Sequence, residues 1–199
     1  GITTTTDVEW WMRDKVLELG LETWFHPTVD VQRSNNELGN HLYAFSNRPD
    51  NMVIMPGDLL HCDFGITYLR LNTDCQQLAY VLKPNEKKSP EFLVKALAEG
   101  NKLQDFLTAN FKTSRSGNDI LAASLNQAKA VGMQPSIYTH PLGFYGHSAG
   151  PTIGMWDARE GVRGAGDYPL YTNTVYAIEL NTTVNIPEWN RDIRIMLEE

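Results

Sequence analysis

The chain has 199 residues, 42% of them apolar and 21% charged, enough for one domain with a substantial core. A formal net charge of −7 argues against nucleic acid or an anionic membrane as the main partner. No apolar run approaches the ~18 residues that span a bilayer, and no signal peptide stands at the start, which is Gly-Ile without Met.

Thr6-Asp7-Val8-Glu9 has the spacing of a capping box, with Thr6 as N-cap. Val8, Trp11, Met12, Val16 and Leu19 then predict one apolar face of a helix, stopped by Gly20. Residues 24–30, WFHPTVD, read as a strand. The polar stretch 34–51 reads as a long loop, of a kind that is often functional. Met52 to Met55 is a short apolar piece before the Pro56-Gly57-Asp58 turn.

The following segment holds two acidic residues, Asp63 and Asp74, with ten residues between them. Leu59, Leu60 and Phe64 make the first flank strand-like, and Leu78, Tyr80 and Val81 the second. Tyr68 to Asn72 is either the far end of a hairpin or a bulged crossing. Antiparallel pairing would bring both carboxylates to one face. Like charges in a half-buried sheet are costly, and a divalent cation is the usual compensation. The plain alternative is two turn-end aspartates facing solvent. Cys62 and Cys75 flank the acids symmetrically and would approach each other on the opposite face. Two small thiols are the preferred reading over a strained cross-strand disulfide.

After a charged turn, Ser89-Pro90-Glu91 opens a helix with Ser as cap and Pro just inside. Phe92, Leu93, Ala96, Leu97, Leu103, Phe106 and Leu107 continue it. A second helix starts near Ser116-Gly117-Asn118-Asp119, uses Ile120, Leu121, Leu125 and Ala128, and ends at Gly132. Then come residues 137–147, a Gly-rich loop through Gly166, a strand over 174–180 and a last strand over 192–198. This order fits an α+β domain with an antiparallel sheet better than a βαβ series.

His140 and His147 lie in THPLGFYGHSAGPTIG, where Gly143 and Gly146 let backbone pass close to a ligand or another strand. They read either as a metal ligand and a proton carrier or as loop histidines near the surface. Glu179 sits in the apolar strand VYAIEL, where a buried acid needs a partner and a cation is a good one. Glu198 and Glu199 close the last strand, ordinarily a solvated end.

Taken in order, this set resembles the catalytic domain of the pita-bread metallopeptidases: methionine aminopeptidase, aminopeptidase P, prolidase and the non-peptidase relative creatinase. The resemblance covers nearly the whole chain. Asp63-Phe64-Gly65 and Asp74 match the family's paired aspartates, and His140-Pro141-Leu142-Gly143 with His147 its H-x-x-G segment and second histidine. Glu179 matches the glutamate ending an apolar strand, and Glu198 the glutamate on the next strand, with Glu199 as the fallback. The resemblance implies a pita-bread fold, a curved antiparallel sheet with flanking helices. It implies metal ligands Asp63, Asp74, His140, Glu179 and Glu198 around two divalent ions (Mn, Co, Zn or Fe), and catalytic roles for Glu179 and His147. The implied activity is dinuclear metal-dependent hydrolysis of an N-terminal peptide bond, of the Xaa-Pro type, through a water bridging the metals. Glu179 would carry a proton to the leaving amine, and His147 would hydrogen-bond the substrate carbonyl. Tyr145, Trp156 and Phe144 are candidates for the side-chain pocket.

Departures exist. Leu180 follows Glu179 where the family often has Pro, and the family's upstream histidine falls near Ser46, with His41 or His26 as substitutes. By the same resemblance, residues 1–199 are one metallopeptidase catalytic domain excised from a longer chain and lacking its last strand. The expected partner is a peptide, with a homodimer through flanking regions a further expectation. The setting is left open between the cytoplasm, which is slightly favoured, and export of the parent chain. The alternatives are a creatinase-like C–N hydrolase and a non-catalytic protein-binding module of the same fold.

Overall fold

A computed structural model describes residues 2–34 and 51–199. The stretch read as a long loop, with His41 and Ser46, lies almost wholly outside the described residues. Helix α1, Thr5–Glu18, starts earlier than its sequence signal. Thr4 is the N-cap: its hydroxyl accepts from the Asp7 amide, and the Asp7 carboxylate accepts from the Thr4 amide. Glu9 does not close the box because its Oε1 accepts from the Val29 amide at 2.9 Å, tying the helix to a strand. The expected apolar face is corrected too. Of its five residues only Val16 is buried, and Trp11 and Leu19 are 59% and 74% exposed. The helix stops as expected: at Gly20 (φ +70°) the amides of Gly20 and Leu21 turn back to the carbonyls of Leu17 and Val16.

The span 24–30 is not one strand. Strands β1 (Glu22–Thr23) and β2 (Thr28–Gln32) are separate, with Pro27, which has no amide to give a ladder, between them. The acidic segment forms β3 (Leu59–Phe64), β4 (Ile66–Tyr68), β5 (Leu71–Asn72) and β6 (Cys75–Tyr80). β3 pairs with β6 in the register Asp63↔Gln76, Phe64↔Cys75, and with β2 on its other side. β4 and β5 fold back as a hairpin tip whose turn residues Leu69 and Arg70 have φ of +50° and +68°, the twist a two-residue hairpin turn requires. Tyr68 to Asn72 is therefore the far end of a hairpin. Cys62 and Cys75 are free thiols.

Helix α2 (Glu91–Asn110) has Pro90 itself as N-cap, with no side-chain cap, so Ser89 does not play the expected part. Helix α3 (Gly117–Ala130) is capped as predicted by Ser116 with Asp119. β7 (Gln134–Ile137), β8 (His140–Leu142), β9 (Val175–Ala177), β10 (Leu180–Ile186) and β11 (Arg191–Leu197) complete the chain. The strand expected over 174–180 breaks at Ile178-Glu179 and then runs on to Ile186. Thr182 and Ile186 alternate inward and their neighbours outward, a period of two that the polar letters N-T-T-V-N hide.

Every named strand pair is antiparallel, so the α+β reading holds. The sheet β11-β10-β7 meets the sheet β2-β3-β6 at a seam, the bridge Gln76↔Glu198, where the Gln76 amide donates to the Glu198 carbonyl at 3.0 Å, and the Gln32 side chain of β2 also bonds the Arg194 backbone of β11. Helices α2 and α3 cover one side of β7, β10 and β11. Leu103, Leu107, Ile120, Leu121, Ile137 and Leu180 form one buried cluster there, and Leu93, Ala96, Ile186, Ile193 and Ile195 a second. Each fully buried Leu or Ile contributes about 1.5–3 kcal/mol. Gly100 lets α2 press onto the sheet, since a Cβ there would meet Ile195 Cγ2 at 2.6 Å. With that side filled, the other side of β10 and β11, bearing Asn181, Arg194 and Glu198, is left to form a cavity wall.

Candidate metal centre

The cavity, about 690 Å³, is lined by Asp63, Asp74, Glu179 and Glu198 together with His147. β3 supplies Asp63 and the residue before β6 supplies Asp74. The break between β9 and β10 supplies Glu179, and the residue after β11 supplies Glu198. Parity explains the convergence. Asp74 and Gln76 share a face of β6, Gln76 faces Asp63 across the ladder, and the seam sets Glu198 opposite Gln76.

His140 sits directly behind the acids, 2% exposed. Its Nδ1 lies 3.2 Å from the Pro141 carbonyl. An N–H donated there leaves Nε2 with its lone pair toward the carboxylates, 3.7 Å from Asp74 Oδ2 and 3.6 Å from Glu198 Oε1. This buried Nε2 has no hydrogen-bond partner. Ligand atoms of Asp74, His140 and Glu198 all lie within 4.8 Å of one another. An imidazole fixed through its far nitrogen, with its near nitrogen unsatisfied among carboxylates, fits a divalent ion.

The electrostatics agree. Burial, then the nearby Glu198 and Asp63, push the Asp74 carboxyl up to about 8. Burial first, then Glu198, Asp63 and Asp74, raise Glu179 well above the usual carboxylate range, against a hydrogen bond from Gln76. A cation among these groups would oppose both shifts.

His147 stands edge-on to His140, ring centroids 4.5 Å apart, and against Trp24 at 5.7 Å. Burial and His140 hold it below the ordinary histidine range. A Cβ at Gly146 would collide with the Trp24 ring, and one at Gly65 with Trp24 Nε1 and the Thr73 carbonyl. The Trp24 indole donates to that carbonyl at 2.7 Å.

Glu199 is exposed, and its Oε2 accepts from Gln104 Nε2 at 3.2 Å, so Glu198 is the glutamate that faces the cavity. Trp156 lines the cavity, whereas Phe144 and Tyr145 are 61% and 66% exposed and do not. His26 meets Trp10 edge-on and lies 3.2 Å from Arg13, and it does not line the cavity. The sequence reading passed over Trp24, Phe25, Tyr138, Arg159 and Arg194, all of which line the cavity. Trp24 and Phe25 stood inside a supposed strand, and the arginines carried no spacing signal.

The Metallopeptidase family M24 model matches residues 1–197. The chain belongs to metallopeptidase family M24. Its pita-bread fold is that of solved M24 structures. It superposes on an X-Pro aminopeptidase from Thermotoga maritima MSB8 with a TM-score of 0.70 at 17% identity, covering 99% of this chain and 49% of that one. A methionine aminopeptidase from Rickettsia prowazekii gives 0.68 at 12% identity, covering 98% and 80%. The N-terminal domain of the FACT complex subunit SPT16 from Cicer arietinum gives 0.67 at 11%, covering 99% and 46%. At these identities the likeness is one of fold. The chain spans about half the length of the X-Pro aminopeptidase and prolidase structures it matches. No curated protein matches its sequence.

Proposed function

We propose that this M24 chain is the catalytic region of a dinuclear metal-dependent aminopeptidase of the Xaa-Pro type. The observation that carries the reading is the convergence of Asp74 and Glu198, at the wall of one cavity, on the unsatisfied His140 Nε2 directly behind them, with Asp63 and Glu179 on the same wall. Asp63, Asp74, His140, Glu179 and Glu198 would hold two divalent ions, with Mn, Co, Zn and Fe all compatible with such donors. Bound there, the ions would supply a water nucleophile at neutral pH and polarise the scissile carbonyl.

The chain's own residues do the rest. Glu179, desolvated beside the other acids, takes the proton of the attacking water and delivers it to the leaving amine. His147, held against Trp24, donates a hydrogen bond to the substrate carbonyl oxygen as charge develops on it. Trp24, Phe25, Tyr138 and Trp156 exclude water and offer flat apolar walls to a ring such as that of proline.

The test is metal content by elemental analysis before and after Mn or Co loading, with cleavage of Xaa-Pro and Met-Xaa peptides measured in parallel. Two metals per chain with loading-dependent Xaa-Pro cleavage is the expected result. Cleavage of Met-Xaa peptides alone would overturn the specificity. No metal uptake would overturn the enzyme reading in favour of a non-catalytic module of the same fold.

A further inference from the structure

The seam between the two sheets carries a buried polar chain that the proposed mechanism does not use. His61 is 0% and Gln76 3% exposed. Gln76 Nε2 lies 3.2 Å from Glu179 Oε1 and 3.0 Å from Glu198 Oε2. Its Oε1 lies 2.8 Å from His61 Nε2, and His61 Nδ1 lies 3.3 Å from Asp30 Oδ2.

Hydrogen-bond chemistry sets the direction of this chain. Glutamates that hold a divalent ion are ionised and only accept, and an amide NH2 has two hydrogens to give. The Gln76 nitrogen therefore faces the two glutamates and its oxygen faces His61, whose Nε2 donates. Gln76 is held at both ends, and its backbone amide is fixed as well, on the Glu198 carbonyl.

The consequence falls on Glu198. Gln76 occupies its Oε2, and the other oxygen, Oε1, is the one that stands 3.6 Å from His140 Nε2. One neutral donor thus pins one oxygen of each glutamate, ties the two carboxylates to one point without adding charge, and leaves the remaining oxygen of Glu198 turned toward the imidazole. A side chain of the same volume without an amide would leave both glutamates free to swing apart.

We propose that Gln76, oriented by His61, is a positioning residue that presets Glu179 and Glu198 for divalent-ion binding. This rests on the metal-centre reading above. Groups that orient metal ligands typically change affinity 10–100-fold when removed, and that sets the expected size.

The experiment is calorimetric titration of Mn2+ into the metal-free parent, Gln76→Met, His61→Phe and the double variant, with circular dichroism to confirm folding. Gln76→Met should weaken Mn2+ binding by about 10–100-fold. His61→Phe should weaken it less, and the double variant should bind no worse than Gln76→Met alone, because His61 acts only through the amide. Parent-like affinity in Gln76→Met, or additive losses in the double variant, would overturn the inference and leave the metal centre standing. A parent that binds no Mn2+ would overturn the metal reading and this inference with it. Should Gln76→Met fail to fold, Gln76→Asn, which withdraws the amide by one methylene and stays polar, gives the same comparison.

Discussion

The imidazoles of His140 and His147 meet edge to face with ring centroids 4.5 Å apart, yet they are built for different tasks. His140 is buried with one nitrogen lying against a backbone carbonyl and the other aimed at acids. His147 borders the open cavity. Replacing His147 by Ala is therefore expected to lower kcat/KM for peptide cleavage by about 100–1,000-fold, as for loss of one oxyanion donor. Metal affinity, read by calorimetry on the same sample, should stay near the parent value. A comparable loss of both would mean that His147 is a ligand.

Asp74→Asn should produce a paired signature. It removes a carboxyl that burial and its neighbours drive to about 8, so the metal-free variant should melt above the parent at pH 8. It should also lose most metal affinity and all metal-dependent cleavage. Thermal melts with and without Mn2+ check both halves. A variant destabilised in the metal-free form would contradict the repulsion described here.

The same groups set a pH dependence. Asp74 and Glu179 hold protons in the folded state that the unfolded chain has already released. Stability of the metal-free protein from these groups is thus fullest near pH 4 and falls as pH rises toward about 8. Saturating Mn2+ should accordingly raise the melting temperature more at pH 8 than at pH 5.5, by at least about 4 °C. An equal shift at both values would show that the acids do not compete with protons for the ion.

Part of this arrangement was legible in the letters: strand alternation predicts Asp63 and Asp74 on one face, and both line the cavity. Glu179 stood out as an acid in an apolar strand, whereas His140 and Glu198 were picked out by the family resemblance; Glu179 and Glu198 line the same cavity and His140 stands behind Asp74 and Glu198. The helix carried by Ile120, Leu121, Leu125 and Ala128 was equally legible, with cap and buried face agreeing. Other features depended on tertiary partners. Thr6-Asp7-Val8-Glu9 had the right cap spacing, but Glu9 was claimed by Val29 across the fold. The apolar letters of α1 described no buried face. Residues 181–185 hid a strand because its outward positions Asn181, Thr183 and Asn185 are polar, Asn181 bordering the cavity. Gln76 and His61 carried no local signal, since their meaning lies in a pairing between Gln76 and Glu198 that no short window contains.

Gly146→Ala tests the packing that supports His147. The added methyl would press on the Trp24 ring, an overpacking that costs about 1–3 kcal/mol, or several degrees in melting temperature. Since Trp24 also backs His147, peptide KM and kcat should both worsen while Mn2+ affinity holds. An unchanged melting temperature together with parent kinetics would show that Trp24 has room to move.

The seam at Gln76 and Glu198 joins positions 122 residues apart in the chain. Each sheet brings its own pair of acids together, Asp63 with Asp74 and Glu179 with Glu198, but the four meet only when this distant pair closes. The repulsion of Asp74 by Glu198, and of Glu179 by Asp63 and Asp74, is therefore set against that long-range step. In the metal-free chain at neutral pH the two sheets should part at the seam before either unravels, with amide exchange at Gln76 faster than in the middle of β10. A divalent ion would act there as a clasp between halves of the polypeptide, so that acquiring the ion and completing the fold become one event.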